Sequence, residues 1–365
     1  MTTRRELLQW LTALMALPAV AVAEGTVGRA RKPLDLLFLG GTGFLGPHQV
    51  EYALARGHRV TLFNRGKSAP GLFGDRAEIL LGNRDTNIAP GLAALQGTRR
   101  WDVVIDNSGY LPRHVRDSID LLKGRCGRYV FVSTVAVYEP SAGPRFDEKS
   151  ALRAAPDPAT EEVTGQTYGA LKAECDRIVQ AALGDRATIV RPTYIVGPGD
   201  DTDRFTYWVE RVARGGEVLG PPDPRAELQW VDVRDLCPWV VELAERGQPG
   251  IYNASGPTTP VTWEQVLQEL ARLSSQPVKF RWATTEVMEK SGIRLPLVRP
   301  PSATDSASPH FEGAAAQAAG LQYRPLADTA AATLAWWRAQ PEERRAKPEG
   351  WPTPEQEKEA LRLLG

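Results

Sequence analysis

The chain sets a phenol and an ammonium four residues apart, in Tyr168-Gly169-Ala170-Leu171-Lys172. At the start of a helix this spacing puts both groups on one face. A free tyrosine has a pKa of about 10, and a nearby lysine cation favours the phenolate. A general acid/base works best with its pKa near ambient pH, so the pair reads as a proton-transfer group. Upstream, a strand ends in Val132-Ser133-Thr134-Val135-Ala136-Val137-Tyr138. A hydroxyl there, Thr134 or Ser133, lies in the crevice where open α/β sheets bind ligands. It can hydrogen bond a substrate oxygen while Tyr168 moves the proton.

A second constellation stands near the beginning, in Leu39-Gly40-Gly41-Thr42-Gly43-Phe44-Leu45-Gly46. It follows an apolar strand and opens a helix. Glycine supplies the positive φ of a tight turn without strain. Missing side chains at Gly40, Gly43 and Gly46 let backbone approach a pyrophosphate. The helix N-terminus then offers free N–H groups and the positive end of its dipole. In this context the pattern predicts a dinucleotide site. About twenty residues on, an NAD site has an acidic residue for the ribose 2′-hydroxyl. This chain has Phe63-Asn64-Arg65-Gly66-Lys67 instead. Asn64 takes the acidic position, and Arg65 and Lys67 suit a 2′-phosphate. NADP is the expected cofactor, with NAD the alternative if the two cations are only solvated. Leu81-Gly82-Asn83-Arg84-Asp85 offers Asn83 or Asp85 to the adenine edge. Asp106-Asn107-Ser108-Gly109-Tyr110 supplies a small-residue turn, with Ser108, that passes under the cofactor.

The elements that must position these groups show in the apolar pattern. Strands are predicted over 34–40, 59–63, 78–81, 102–107, 129–133 and 188–191, and helices over 46–56, 115–122 and 168–183. Continuous Val/Ile/Leu/Phe runs suit strands covered on both faces, and the alternation predicts an α/β fold, a Rossmann-type doubly wound parallel sheet. A smaller C-terminal substrate lobe follows. The expected layout is a dinucleotide-binding domain over 34–200, to which 228–255 returns, with the lobe formed by 201–227 and 256–345. Helices are expected over 205–214, 233–246 and 328–338, and a strand over 250–255. From Pro257 the sequence reads as irregular. Residues 346–365 read as a charged tail ending in an amphipathic stretch.

Lys plus Arg and Asp plus Glu number 44 each, so nothing global points to nucleic acid or an acidic membrane surface. The ten tryptophans are scattered and read as core or cleft residues. Cys126, Cys175 and Cys237 lack metal-ligand spacing and read as free buried thiols. His48, His58, His114 and His310 show no ligand spacing either, and no metal is expected. Asp200-Asp201-Thr202-Asp203 lacks the features of a calcium loop and reads as a helix cap before Arg204. Arg191, Arg204 and Arg234 are candidates to hold a substrate phosphate or carboxylate, or to form structural ion pairs.

Residues 1–23 carry Arg4-Arg5, an apolar run from Trp10 to Val22 and Ala21-Val22-Ala23. This resembles a twin-arginine export signal with a cleavage site, followed by a linker over 24–33. The apolar run is short for a membrane span. The expected location is the periplasm, with retention in the cytoplasm the alternative.

Together the glycine turn, Ser133-Thr134, Tyr168/Lys172 and Arg191-Pro192 resemble the extended short-chain dehydrogenase/reductases, the NAD-dependent epimerase/dehydratases. Gln229-Trp230-Val231-Asp232-Val233-Arg234-Asp235 resembles that family's strand–helix junction behind the substrate site. The resemblance covers roughly 34–255. It implies that Gly40, Gly43 and Gly46 bind the dinucleotide, with Thr42, Phe44 and Leu45 along the pyrophosphate. It implies Tyr168 as acid/base, Lys172 on the nicotinamide ribose and Thr134, not Ser133, as the catalytic hydroxyl. Pro192 to Tyr194 would pass near the nicotinamide, and Tyr194, Ser133, Arg204 and Arg234 would face a small-molecule substrate. Sugar nucleotides are the family's commonest substrates, though an exported protein would rarely meet them. A homodimer through a four-helix bundle is also implied. Several positions depart from the pattern: no acidic residue follows the second strand, no His-x-Ala-Ala ends the fourth, and Glu139 replaces the usual glycine. These departures look like an atypical branch, similar to the chloroplast stem-loop-binding proteins, which bind RNA. The alternative function is thus a non-catalytic dinucleotide sensor or RNA binder.

The signal reading predicts a protein in the periplasmic fraction whose mature chain begins near Glu24. N-terminal sequencing checks this, and a soluble cytoplasmic protein that retains Met1 ends the export claim.

Overall fold

The computed structural model describes residues 27–157, 159–298 and 308–365. The expected signal segment, 1–23, lies outside the described residues.

Seven parallel strands form the central sheet, in the order β11-β7-β5-β4-β1-β2-β3. In chain order the first half contains β1 (Asp35–Leu39), α1 (Leu45–Ala55), β2 (Arg59–Asn64), β3 (Glu78–Leu81), β4 (Trp101–Asp106), α2 (Pro112–Leu122) and β5 (Cys126–Val132). Then come β6 (Arg145–Phe146), α3 (Tyr168–Leu183), β7 (Ala187–Pro192), β8 (Tyr194–Val196), α4 (Arg204–Ala213), β9 (Gly216–Gly220), β10 (Trp230–Asp232), α5 (Val233–Arg246) and β11 (Gly250–Ala254). The remainder adds α6 (Trp263–Ala271), β12 (Val278–Trp282), α7 (Thr285–Ser291), β13 (His310–Phe311), α8 (Ala314–Ala318), α9 (Leu326–Arg338), α10 (Glu342–Arg345) and α11 (Pro354–Leu363).

The sheet is doubly wound because its strands are apolar on both faces. Leu36 and Phe38 of β1 pack with Val50 and Ala53 of α1 and Val240 and Ala244 of α5. Leu37 and Leu39 point the other way, toward Val115 and Ile119 of α2 and Val179 of α3. The chain leaves this sheet after β7 and returns through α5 to β11, which pairs with β7.

A second apolar core holds the lobe together. Trp208 and Trp263 meet at 4.9 Å between ring centroids, and Trp337 and Trp351 at 5.2 Å, so many of the tryptophans are packing residues. The segment after Pro257 is more regular than its sequence suggests. Thr262 and Gln265 form a reciprocal capping box that starts α6. β12 pairs in parallel with β9, a contact between strands far apart in sequence. The C-terminal stretch is no free tail. Ala360 of α11 is fully buried in the lobe core, and Trp351 packs against it.

Asp203 ties this stretch to the rest. It does not cap α4: its backbone is left-handed (φ 52°) and its carboxylate makes no capping bond. Both carboxylate oxygens instead accept from the Arg344 guanidinium at 2.7 Å, one also accepts from the Glu349 N–H, and the Asp203 carbonyl accepts from the Trp351 indole. The three cysteines are buried and unpaired.

Arg344→Ala would leave the fully buried Asp203 without its counter-ion. Removing one partner of a buried pair costs roughly 3 kcal/mol or more, and urea denaturation should show that loss.

Candidate active site

The carboxyl ends of the parallel strands open onto one cavity of about 1280 Å³ between sheet and lobe. Its first wall is the β1–α1 turn. Gly40 has φ +88° and passes directly over Ser108; a Cβ on Gly40 would stand 2.8 Å from the Ser108 Cβ. A Cβ on Gly46 would stand 2.2 Å from the Gly41 carbonyl carbon, so α1 can begin against that peptide only if Gly46 is bare. At Gly43 a Cβ would meet nothing within 4 Å. These are the three roles expected of a pyrophosphate-binding turn: tight bend, open backbone and close helix packing. Thr42, Phe44 and Leu45 complete this wall. The turn fits a dinucleotide.

Asn64, Arg65 and Lys67 stand at the end of β2 on the cavity edge. The Asn64 side chain accepts from the Gly66 N–H at 2.8 Å, which fixes the turn. Arg65 and Lys67 are exposed. At the end of β3 the cavity meets Gly82, Asn83 and Arg84 and not Asp85. Asp85 faces away and pairs with Arg113 at 3.0 Å, so the expected adenine contact through Asp85 is corrected. Arg84 is the residue that sequence reading passed over. Its guanidinium is buried and binds Asp106, the Ser108 hydroxyl and the His114 carbonyl. Asp106 also accepts from the Tyr129 phenol at 2.7 Å. The Ser108 hydroxyl itself donates to the Leu39 carbonyl at 3.1 Å, bracing the floor of the turn.

The proton-transfer group lies deeper. Thr134 follows β5 and accepts from the Ala136 N–H at 3.1 Å. Tyr168 begins α3, and Gly169 lets the helix start against the same turn. A Cβ on Gly169 would come within 2.4 Å of the Ala136 carbonyl. Ser133, Thr134 and Tyr168 therefore line one wall, joined by Pro192 and Tyr194 after β7. Burial pushes the Tyr168 phenol up to about 12, Tyr110 adds to the rise, and hydrogen bonding to Thr134 and the Arg204 charge oppose it.

Lys172 behaves differently from expectation. It is 3% exposed and does not reach the cavity wall. Its ammonium donates to the Gly109 carbonyl at 2.7 Å and the Val132 carbonyl at 2.9 Å, over the Phe131 ring. Burial lowers its own pKa, and the largest influences on Tyr168 come from desolvation, Tyr110, Thr134 and Arg204. The expected lowering of the phenol by Lys172 is corrected: desolvation outweighs a cation already spent on carbonyls.

Of the three arginines, only Arg204 lines the cavity, with its guanidinium 5.5 Å from the centroid of the Tyr194 ring. Arg234 binds Asp232 at 2.7 Å and Asp328 at 3.4 Å, so the structural alternative holds there. Arg191 is buried against Asp176 at 2.9 Å and the Tyr138 hydroxyl at 3.0 Å. The lobe wall also contains Trp263, one of the tryptophans read as core or cleft residues, with Pro221 and Phe311, which the sequence did not single out, and the sheet side contains Tyr110 and His114. Among the described residues no group of three or more His, Cys, Asp or Glu could hold a metal, and no helix is long and apolar enough to cross a membrane.

Comparison with known proteins agrees with this architecture. Residues 36–255 match the NAD dependent epimerase/dehydratase family, and the chain belongs to it. It is 26% identical over 257 residues to the chloroplast stem-loop binding protein of 41 kDa b of Arabidopsis thaliana, a match covering 66% of this chain and 64% of that protein. The fold is shared with dTDP-glucose 4,6-dehydratase of Bacillus anthracis, solved with NAD (16% identity, TM-score 0.61, covering 84% of this chain and 97% of that one). It is shared also with WbmG of Bordetella bronchiseptica, solved with NAD and UDP (16% identity, TM-score 0.62, covering 84% and 95%).

The glycine contacts separate two variants. Gly46→Ala forces a methyl into the Gly41 peptide and should cost about 1–3 kcal/mol, as over-packing does. Gly43→Ala meets open space and should change stability by no more than about 0.5 kcal/mol. Equal chemical denaturation midpoints for the two would contradict this geometry.

Proposed function

We propose that the protein is an epimerase, dehydratase or reductase that uses NADP or NAD on a small molecule, with Tyr168 as acid/base. The observation that carries this reading is the convergence of the bare β1–α1 turn, Thr134 and Tyr168 on one cavity. Gly40, Thr42, Gly43, Phe44, Leu45 and Gly46 hold the pyrophosphate on the N-terminus of α1. Arg65 and Lys67 favour NADP, because both are exposed at the edge where a 2′-phosphate would lie. A nicotinamide bound there would supply hydride exchange with the substrate carbon.

The rest is done by the chain itself. Thr134 holds the substrate oxygen. Tyr168, with a pKa raised to about 12, is protonated at neutral pH, so the site starts as a proton donor to a carbonyl oxygen. Lys172 positions: it braces the Gly109 carbonyl, next to Tyr110, and the Val132 carbonyl, next to Ser133 and one residue short of Thr134. Ser133, Pro192, Tyr194 and Arg204 shape the reacting end of the cavity. Asp85 and Arg234 are given no contact with ligand.

A small-molecule substrate is preferred to RNA, despite the name of the plant relative. The supporting observations are the balance of 44 basic and 44 acidic residues and the size of the cavity, about 1280 Å³. Export to the periplasm through residues 1–23 and a homodimer through a four-helix bundle belong to the same proposal.

NADP should raise the melting temperature of the purified protein more than NAD does, since a ligand that binds only the folded state at a hundred times its Kd adds about 2.7 kcal/mol. Tyr168→Phe should keep that rise while turnover of a carbonyl substrate falls at least about a hundredfold. The reading is lost if neither dinucleotide moves the transition, and Tyr168 leaves the mechanism if its variant turns over normally.

A further inference from the structure

Arg84 brings a charge to the cavity wall that the proposed reaction does not use. It follows β3, at the edge of the sheet, while its ion-pair partner, Asp106, ends β4. In the strand order β4-β1-β2-β3 this connection reaches across the carboxyl ends of β1 and β2. Those two ends carry the glycine turn and Asn64-Arg65. A long side chain gives up much rotamer freedom to be fixed in this way. Its two Nη groups bind Asp106, the Ser108 hydroxyl at 3.3 Å and the His114 carbonyl at 3.2 Å.

The pair is oriented. Asp106 is fully buried, and Arg84 stands between it and the cavity, so the positive end faces the ligand side. One Asp106 oxygen also accepts from the Ser108 N–H at 3.0 Å, and the other accepts from the Tyr129 phenol at 2.7 Å. Arg84 and Asp106 thus grip Ser108 twice, at its hydroxyl and at its N–H. Ser108 in turn donates to the Leu39 carbonyl at 3.1 Å and fills the space directly under Gly40. An unbroken series of contacts therefore runs from the ion pair through Ser108 to the peptide that begins the β1–α1 turn.

We infer that Arg84 and Asp106 are positioning residues for the dinucleotide: together they hold Ser108, and through it the glycine turn, in the conformation that receives a diphosphate. This rests on the proposed cofactor site and deepens it. Backbone N–H groups bind an anion tightly when their directions are fixed before it arrives, whereas a turn that must first be ordered gives up affinity. With its positive end toward the cavity, the pair fixes the turn without setting a buried carboxylate against the incoming charge.

Calorimetric titration with NADP tests this. Arg84→Met alone would leave a buried carboxylate unpaired and destabilise the fold. The variant is therefore Arg84→Met/Asp106→Asn, which removes both charges and keeps an oxygen for the Ser108 N–H and an amide for the Tyr129 phenol oxygen. Ser108→Ala cuts the same link from its other end. Each variant should bind NADP about tenfold more weakly than wild type, about 1.4 kcal/mol. The two combined should lose about the same tenfold, because they break one link. A loss near a hundredfold in the combination overturns the inference, since Arg84 would then act without Ser108. Unchanged affinity in Arg84→Met/Asp106→Asn overturns it as well, whatever happens to the urea midpoint, because the pair would then be structural only. If that variant does not fold, Arg84→Lys takes its place: it keeps a charge beside Asp106 but lacks the fork that also spans Ser108 and His114. The same tenfold loss is expected, and wild-type affinity overturns the inference. Should wild type itself bind neither NADP nor NAD, the cofactor reading fails and this inference with it. Binding by wild type with unchanged variants is the failure of this inference alone.

Discussion

One backbone contact organises this molecule. The first turn of α1 lies against the Gly41 peptide so closely that Gly46 cannot carry even a methyl group. The contact sets the angle at which α1 leaves the sheet, and hence where its N-terminal N–H groups point. Ser108 closes the same turn from below, with its hydroxyl on the Leu39 carbonyl. An open mouth at Gly43 is the consequence: a stretch of backbone with no side chain in front of it, at the carboxyl edge of a parallel sheet. The phenol and hydroxyl reach the same edge because β5 and α3 belong to that sheet and its covering layer.

Charge beneath the site follows a consistent rule. Arg84, Lys172, Asp176 and Arg191 are all nearly inaccessible, and each is met by protein groups. Arg84 meets Asp106, Lys172 meets two carbonyls, and Arg191 meets Asp176 and Tyr138. A buried charge without a partner is too costly to keep, so these groups serve rigidity before chemistry. Desolvation therefore dominates the Tyr168 phenol and holds its pKa above the ordinary value. Charges that stand at the cavity edge include Arg65 and Lys67 at the end of β2 and Arg204 on the lobe side.

Much of the fold was legible because its signals are local. Apolar runs of strand length alternate with amphipathic segments, and the predicted ends of β3, α3 and α5 coincide with the observed ones. The glycine spacing was readable for the same reason: a positive φ and two close approaches each demand a missing Cβ at a stated position. Less was legible after Pro257. There the capping box of Thr262 and Gln265 was a usable signal, but the pairing of β12 with β9 joins strands some sixty residues apart and leaves no mark in a local window. The Asp203 carboxylate looked like a cap because caps are the common use of that residue before a helix. Its real partner, Arg344, comes from a segment that composition marked as a tail.

By itself, the sequence determined which backbone positions had to be bare and which side chains could exchange a proton, since these depend on residue type and near spacing. The tertiary structure decided what each charge faces. Whether Lys172 looks at a phenol or at two carbonyls, whether Asp85 or Arg84 reaches the cavity, and whether Arg234 is free or paired depend on neighbours brought together by folding. Coulomb and desolvation energies depend on distance and burial in space, and neither quantity is written along the chain.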